Sequence, residues 1–336
     1  MQVTLGNMTK KIVFLGTGGT IAGTASSSSD NVGYLAAQVG VDDLLVAVPG
    51  LSEALKDQVL VTEQVAQVDS KDMSFAIWQR LAVRVTHYLA QDDVAGLVIT
   101  HGTDTLEETA FFLHAVLPRE QLACKSVVLT CAMRPASSNT PDGPQNILDA
   151  VSVVNTPGAH GVLVVCAGTV HGALAVQKVH PYRLDAFSSG ESGPIAFVEE
   201  GFVRLVNQWP LDPEDGPCAA IESIANAVRW PRVEIVMNYV GVSGATVDAL
   251  MHFGLLDQAF PLAGLVVAAT GNGTIHRDLE AALTRAVNAG VSVVVSTRCP
   301  LGCVIAQQVQ QFKDAQGLSP VKARVALMLS LMASVD

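Results

Sequence analysis

The sequence predicts an α/β protein of two domains, each built on a mainly parallel, doubly wound sheet. Three observations predict it. Short β-branched runs alternate with stretches of helical periodicity along most of the chain. Those runs are continuously apolar rather than alternating, as strands covered on both faces should be. The 336 residues, at about 150 per domain, correspond to two domains and can bury sizeable cores without disulfide or metal staples.

Taken in order, the strand-like runs are Ile12–Leu15, Val59–Val68, Gly96–Thr100, Ser126–Thr130, Gly161–Val165, Val233–Val240, Gly264–Ala268 and Val291–Ser296. Between them, Met73–Leu89, Thr105–Leu117, Pro144–Val154, His276–Asn288 and Pro320–Met332 carry the periodicity of helices. Asp142-Gly143-Pro144 reads as a turn and helix start. Pro194–Val206 (PIAFVEEGFVRLV) reads as a β-hairpin turning at Glu200-Gly201, which would close one edge of the first sheet. The segment from Gln208 to Pro231 gathers prolines and acidic residues without strand periodicity, and the βα pattern restarts at Val233. The expected organisation is therefore an N-terminal domain at 1–207, a linker at 208–231 and a smaller C-terminal domain at 232–336. Thr24–Asp30 (TASSSSD) is the one low-complexity segment and reads as a mobile surface loop. No fixed-period repeat is present.

Composition narrows the function classes. Apolar residues, with glycine counted and tyrosine not, come to roughly 56%, against an ordinary 45–50%. Charged residues are only 15% and aromatics 5%. Such a chain must bury more surface than usual with a core of Val, Ala, Leu and Ile, which suits both a parallel sheet covered on both faces and a hydrophobic subunit interface. Twenty basic against 31 acidic residues leave a net charge of −11, and no basic cluster exceeds two adjacent residues, which argues against a nucleic-acid partner. The longest apolar stretches, such as Gly161 to Gly168, Ala263 to Gly271 and Val325 to Val335, fall far short of the roughly 20 residues that span a bilayer. A soluble protein with no membrane partner is expected. No apolar signal region precedes IVFLG, so the expected compartment is the cytoplasm. The six cysteines at 124, 131, 166, 218, 299 and 303 read as free thiols lying mostly in apolar runs. Cys299 and Cys303 alone make a weak metal or disulfide signal, and no other metal-ligand spacing is present.

Chemistry concentrates after three strands. The first ends in IVFLGTGGTIAG (Ile12–Gly23), where glycines let the backbone turn sharply and expose amides at the ligand-binding end of an α/β sheet. Gly16 and Gly18 begin a dinucleotide fingerprint, but position 21 is Ile, so no nucleotide cofactor is expected. What remains is Thr20, either a ligand-facing hydroxyl or a helix cap. The second cluster is GLVITHGTDTLEETA (Gly96–Ala110). Thr105 and Glu108 have capping-box spacing, and Thr103 and Asp104 sit at the strand's mouth, able to handle protons or an ammonium group or simply to form a turn. Third is Lys178 in GALAVQKVHPY: an exposed edge lysine, or a buried one with a lowered pKa that could act as a base.

Together these segments resemble the bacterial-type L-asparaginases, the asparaginase/glutaminase amidohydrolases. That family carries a first signature like TGGTIAG and a second like HGTDTxEETA, which stand here as Thr17–Gly23 and His101–Ala110. The resemblance continues through Val39–Pro49, Val68–Met73, Ala132–Asn146, Gly161–Val165 and Gly271–Gly273. It implies that Thr20 is the nucleophile and that Tyr34, on a lid beyond the serine-rich loop, assists it. It implies that Lys178 supports the Thr103 hydroxyl, Asp104 holds the substrate α-ammonium and Ser70 binds the α-carboxylate. The implied reaction is hydrolysis of the asparagine side-chain amide, and of glutamine, through a threonine acyl-enzyme. Backbone amides stabilise the oxyanion, and neither cofactor nor metal takes part. The implied assembly is a homo-oligomer, dimer or tetramer, with sites at the subunit interface. Which of Tyr34, Lys178 or Thr103 deprotonates Thr20 is open at this level.

Two positions depart from the family pattern. Its members place an acid after a Pro-x-Gly turn in the second domain, reaching a neighbouring subunit's site to bind the α-ammonium. Here the stretch from Pro300 reads PLGCVIAQQVQQFKD, with no acid before Asp314 and Gln307, Gln308 or Gln310 as neutral substitutes. Lys71, beside Ser70, stands where relatives carry an uncharged residue and reads as a solvated side chain. Two alternatives follow: a related amidase for substrates lacking a free α-ammonium, and a catalytically silent amino-acid-binding module.

Overall fold

Residues 9–210, 221–256, 260–305 and 311–333 are described by a computed structural model. The chain forms two compact units, Met1–Glu214 and Asp215–Asp336. The first opens with β1 (Lys11–Gly18), α1 (Val41–Val46), α2 (Leu51–Leu55), β2 (Val59–Val68), α3 (Phe75–Leu89) and β3 (Val94–Thr100). It continues with α4 (Leu106–Val116), α5 (Arg119–Leu122), β4 (Ser126–Thr130), α6 (Gly143–Val154) and β5 (Gly161–Cys166). Short strands complete it: β6 (Thr169–Gly172), β7 (Gln177–Lys178), β8 (Phe187–Ser188), β9 (Ala196–Glu199) and β10 (Phe202–Leu205).

Its main sheet has the order β10-β9-β6-β5-β4-β3-β1-β2. The five strands from β2 to β5 are parallel, and the pairings of β5 with β6, β6 with β9 and β9 with β10 are antiparallel. Side chains alternate across the sheet, so Ile12, Phe14, Val98, Val128, Leu163 and Val165 bury against α6 through Ile147, Ala150, Val151 and Val154, with α1 and α2 extending the same core. Helices α3 and α4 cover the other face, with Trp78 stacked on Phe112 at 4.7 Å. β2, an edge strand carrying Glu63 and Gln64, is only partly buried, which departs from the expectation of uniformly covered strands. The hairpin turns where expected: Glu200 and Gly201 both have positive φ (49° and 77°), as a two-residue hairpin turn requires.

The functional consequence lies in the strand order. The chain leaves β1 toward β2 on one side and returns to pair β3 on the other, so the β1/β3 boundary is a topological switch point. Loops leaving the two strands part there, opening a crevice at their carboxyl ends. Gly16 pairs with Thr100, and Thr100 with Thr130, which brings these ends level.

The second unit contains α7 (Ile221–Ala225), β11 (Arg232–Met237), α8 (Ala245–Leu256), β12 (Leu262–Ala269), α9 (Arg277–Asn288), β13 (Ser292–Thr297), β14 (Lys313–Asp314) and α10 (Pro320–Ala333). Its parallel sheet, β11-β12-β13-β14, packs α8 and α9 on one face through Val247, Leu279, Ala282, Leu283 and Ala286, and α10 on the other. Strand β11 stops at Met237, three residues earlier than the sequence suggests. There the Asn238 side chain turns to Thr270 Oγ1 (2.9 Å) and accepts from the His276 N–H (2.9 Å), and the chain turns over Gly241. Among the described residues no helix is long and apolar enough to cross a membrane. Cys124, Cys131, Cys166, Cys299 and Cys303 are free, but only Cys131 and Cys166 are buried. The apolar-run reading thus fails for the other three, which lie outside the strands. Cys218 lies outside the described residues.

Candidate active site

The first turn is built by glycine. After β1, Gly18 and Gly19 take φ of 99° and 86°, values open to glycine and strained for other residues, and Gly19 N–H donates to Val68 O at 2.9 Å. A Cβ on Gly19 would collide with the Gly102 backbone, and one on Gly102 would lie 2.5 Å from Ser70 Oγ. The two signatures therefore touch through paired glycines. Thr17 Oγ donates to Thr100 O (2.9 Å) beneath them. Thr20, directly after Gly19, is buried, and its hydroxyl lies 2.7 Å from the Tyr34 hydroxyl. It caps nothing: Gly19 holds the cap position of the short 3-10 turn Thr20–Ala22.

Across the switch point, Lys178 Nζ donates to Thr103 Oγ1 at 2.8 Å and pairs with Asp104 Oδ1 at 2.6 Å. The lysine is neither solvated nor isolated in an apolar pocket. Its side chain is 17% exposed and carried on the β7–β8 ribbon, while that of Asp104 is 54% exposed. Ser70, buried, accepts the Asp104 N–H on its hydroxyl (3.2 Å), which leaves the hydroxyl hydrogen for a ligand. Thr105 stands at the N-cap of α4, but the expected capping bond does not form. Its hydroxyl donates to Ser70 O at 2.8 Å, tying the turn to the Ser70 loop instead. Lys71 turns away to Asp69 and Asp72, its side chain 61% exposed, and those partners hold its ammonium above the usual lysine range.

The serine-rich loop is exposed but not free. Ala25 N–H donates to Ser137 Oγ (2.8 Å), Asn139 N–H to Ser28 O (2.8 Å), and Asp30 accepts from Val32 and Gly33, holding its carboxyl below the usual range. Thr24 and Leu35 bridge the base of the loop, and this places Tyr34 over Thr20. Nothing among the described residues gathers three His, Cys, Asp or Glu side chains into a metal site.

The sequence model of the N-terminal asparaginase domain matches residues 11–211, and that of the C-terminal glutaminase/asparaginase domain matches 232–336. The chain belongs to the asparaginase family. It is an L-asparaginase-type amidohydrolase, and relatives agree over nearly its whole length. L-asparaginase 2 of Bacillus subtilis is 36% identical over 97% of this chain and 83% of its own. The glutaminase-asparaginase of Pseudomonas fluorescens is 32% identical over 97% and 87%. The crystal structure of a probable cytoplasmic L-asparaginase from Campylobacter jejuni superposes with a TM-score of 0.86 at 35% identity, covering 97% of this chain and 96% of that one.

Reading residues one at a time missed two features of this asparaginase-type site. Glu107, hidden in the EET of the second signature behind the Thr105–Glu108 spacing, accepts the Lys178 backbone N–H at 2.6 Å and so ties β7 to the helix that follows Thr103 and Asp104. His101 is fully buried beneath the turn, with Nδ1 2.7 Å from Gly102 O and Nε2 2.9 Å from Thr109 Oγ1. Burial pushes its pKa down from 6.5 to about 4, against the opposing pull of the Gly102 carbonyl. The unfolded chain protonates this imidazole below pH 6.5 while the folded chain does not, so its contribution is complete above that pH. Stability should then fall as pH drops toward 4, by about 3 kcal/mol from this group alone. Urea midpoints at pH 7 and pH 4.5 should be closer together for His101→Leu than for the parent; an equal separation would contradict the neutral assignment.

Proposed function

We propose that this protein hydrolyses the side-chain amide of L-asparagine to L-aspartate and ammonia through an acyl-enzyme on Thr20, with L-glutamine as a second substrate. The observation that carries the reading is the juxtaposition, at one switch point, of a Thr20–Tyr34 hydroxyl pair and a Thr103–Lys178–Asp104 cluster. Of the three groups that could activate Thr20, Tyr34 is the one bonded to it directly. In this mechanism Thr20 Oγ bonds to the amide carbon as its proton passes to Tyr34 Oη and Tyr34 gives its own hydroxyl proton to the amide nitrogen. Backbone amides of the two glycine turns hold the oxyanion. Collapse breaks the C–N bond, and the nitrogen, protonated through Tyr34, leaves as ammonia. Water, oriented by the Thr103 hydroxyl that the Lys178 ammonium polarises, then attacks the ester; its proton passes through Tyr34 to Thr20 Oγ as the ester C–O bond breaks, and aspartate departs. Asp104 and the Ser70 hydroxyl receive the substrate's α-ammonium and α-carboxylate.

Ammonia release from asparagine, glutamine and succinamic acid tests the reading. Ammonia from asparagine is expected; none from any of the three would leave a binding module, and a preference for succinamic acid would leave the related amidase. One observation favours that second reading: no acid lies between Pro300 and Asp314. Asp314 Oδ1 accepts the Gln316 N–H at 2.7 Å. Gln307, Gln308 and Gln310 lie outside the described residues. A lost charge-assisted bond is worth roughly 1.5–3 kcal/mol, or about ten- to a hundredfold in binding. We therefore expect a high KM for asparagine and weak discrimination against succinamic acid. Glu placed in turn at 307, 308, 309 and 310 should shift preference toward asparagine in at least one variant. No shift in any would mean that the ammonium partner lies elsewhere.

The assembly proposed is a homo-oligomer, dimer or tetramer, with sites at the subunit interface. The low charged fraction and the exposed Met237, Tyr239, Val240 and Phe253 support burial against another copy. Residence in the cytoplasm is proposed on the free thiols, which suit a reducing compartment.

A further inference from the structure

We propose that a one-way hydrogen-bond relay, Trp78–Thr109–His101–Gly102, orients the Gly102–Thr103 peptide so that the Thr103 N–H faces the reacting amide oxygen. This makes His101 a positioning residue for the oxyanion, and it rests on Thr20 being the nucleophile.

The relay's direction is forced. The Trp78 indole can only donate, and it gives its N–H to Thr109 Oγ1 at 2.9 Å. The Gly102 carbonyl can only accept, so the proton of His101 sits on Nδ1, 2.7 Å away. A neutral imidazole then has a bare Nε2, and Thr109, 2.9 Å from it, donates its hydroxyl hydrogen there. Trp78, Thr109 and His101 are all buried, so no water competes for these bonds. The His101 N–H donates to Thr130 O (2.9 Å), which fixes the backbone below the imidazole to β4.

The consequence follows from peptide geometry. Among the described residues no peptide bond is cis. In a trans peptide the carbonyl and the next N–H point in opposite directions. With the Gly102 carbonyl held down toward His101, the Thr103 N–H points up, away from the core. The preceding peptide, His101–Gly102, and the Gly102 Cα abut Gly19, one residue before Thr20, so the Gly102–Thr103 peptide starts at that contact. Oxyanion donors act by being aimed before the charge forms, so a peptide free to rock would lose part of the effect while still binding substrate.

The test separates aim from folding. His101→Leu removes the donor. His101→Asn keeps an N–H close to the place of Nδ1. We expect kcat of His101→Leu to fall about 10- to 100-fold, a part of what losing an oxyanion donor costs. KM for asparagine and the affinity for aspartate by calorimetry should stay within about threefold. His101→Asn should recover most of kcat. If His101→Leu does not fold, Thr109→Val and Trp78→Phe take its place, each lowering kcat severalfold with KM unchanged. A kcat within twofold of the parent in the folded variants, a loss confined to KM, or equal kcat in His101→Leu and His101→Asn would overturn the relay. The two readings fail separately: an inactive Thr20→Val beside a fully active His101→Leu removes only the relay, whereas an active Thr20→Val removes the nucleophile beneath it.

Discussion

A Thr20→Val variant is expected to lose turnover of asparagine by on the order of 10⁴-fold or more, while still binding substrate and product. Valine reproduces the shape of threonine and removes only the oxygen. The side chain is buried, and its hydroxyl bonds to one neighbour, Tyr34. The loss should therefore appear in kcat, with the thermal transition close to that of the parent and aspartate affinity preserved. Tyr34→Phe makes the complementary case: it leaves the nucleophile in place without its bonded partner, and its loss should be smaller, about 10²- to 10⁴-fold as for a proton-transfer group. Near-normal turnover in Thr20→Val would remove Thr20 from the chemistry.

The second large effect concerns Thr103 and Lys178. Their 2.8 Å bond and the Lys178–Asp104 ion pair make them one unit. Thr103→Val and Lys178→Met should each lower kcat by about 10²- to 10⁴-fold. The double variant should be hardly worse than either single one, because groups acting together lose their function once. Steady-state kinetics of the four-member cycle decides it. Losses that multiply would mean that the threonine and the lysine act independently. Glu107 extends this unit by holding the Lys178 backbone to the helix that follows Asp104.

Much of this arrangement was legible in the sequence, for reasons that differ by element. The buried parallel strands β3, β4 and β5 announce themselves because continuous β-branched runs bounded by glycine or polar turns have few other uses. Helix α3 is visible from its apolar stripe, with Ile77, Trp78, Leu81, Val85 and Leu89 all buried on one side. Helix α8 escaped because apolar residues lie all round ATVDALMHFGLL and leave no period to detect. The two-residue strands β7 and β8 are too short for any pattern, yet β7 carries Lys178. At the site, Thr20, Thr103, Asp104 and Ser70 were found through the signatures that contain them. What linear reading could not supply is the contact of Gly19 with Gly102, since two glycines 83 positions apart give no sign that both lack a Cβ for the same reason. Thr105 misled because capping spacing is local, whereas its hydroxyl is claimed by Ser70 from another loop. His101 was passed over because nothing in HGTD says on which side of the turn the imidazole lies.

Rapid acid quench followed by peptide mass spectrometry tests most directly for a covalent aspartyl ester on Thr20. The protein is mixed with asparagine, quenched during the first turnovers and digested, and the peptide carrying Thr20 is sequenced. One aspartyl group is expected on Thr20, absent from Thr20→Val and more abundant in Lys178→Met, in which attack by water is slowed. An aspartyl group on Thr103 or Tyr34 instead, or aspartate and ammonia released together with no covalent species at any quench time in either the parent or Lys178→Met, would contradict it.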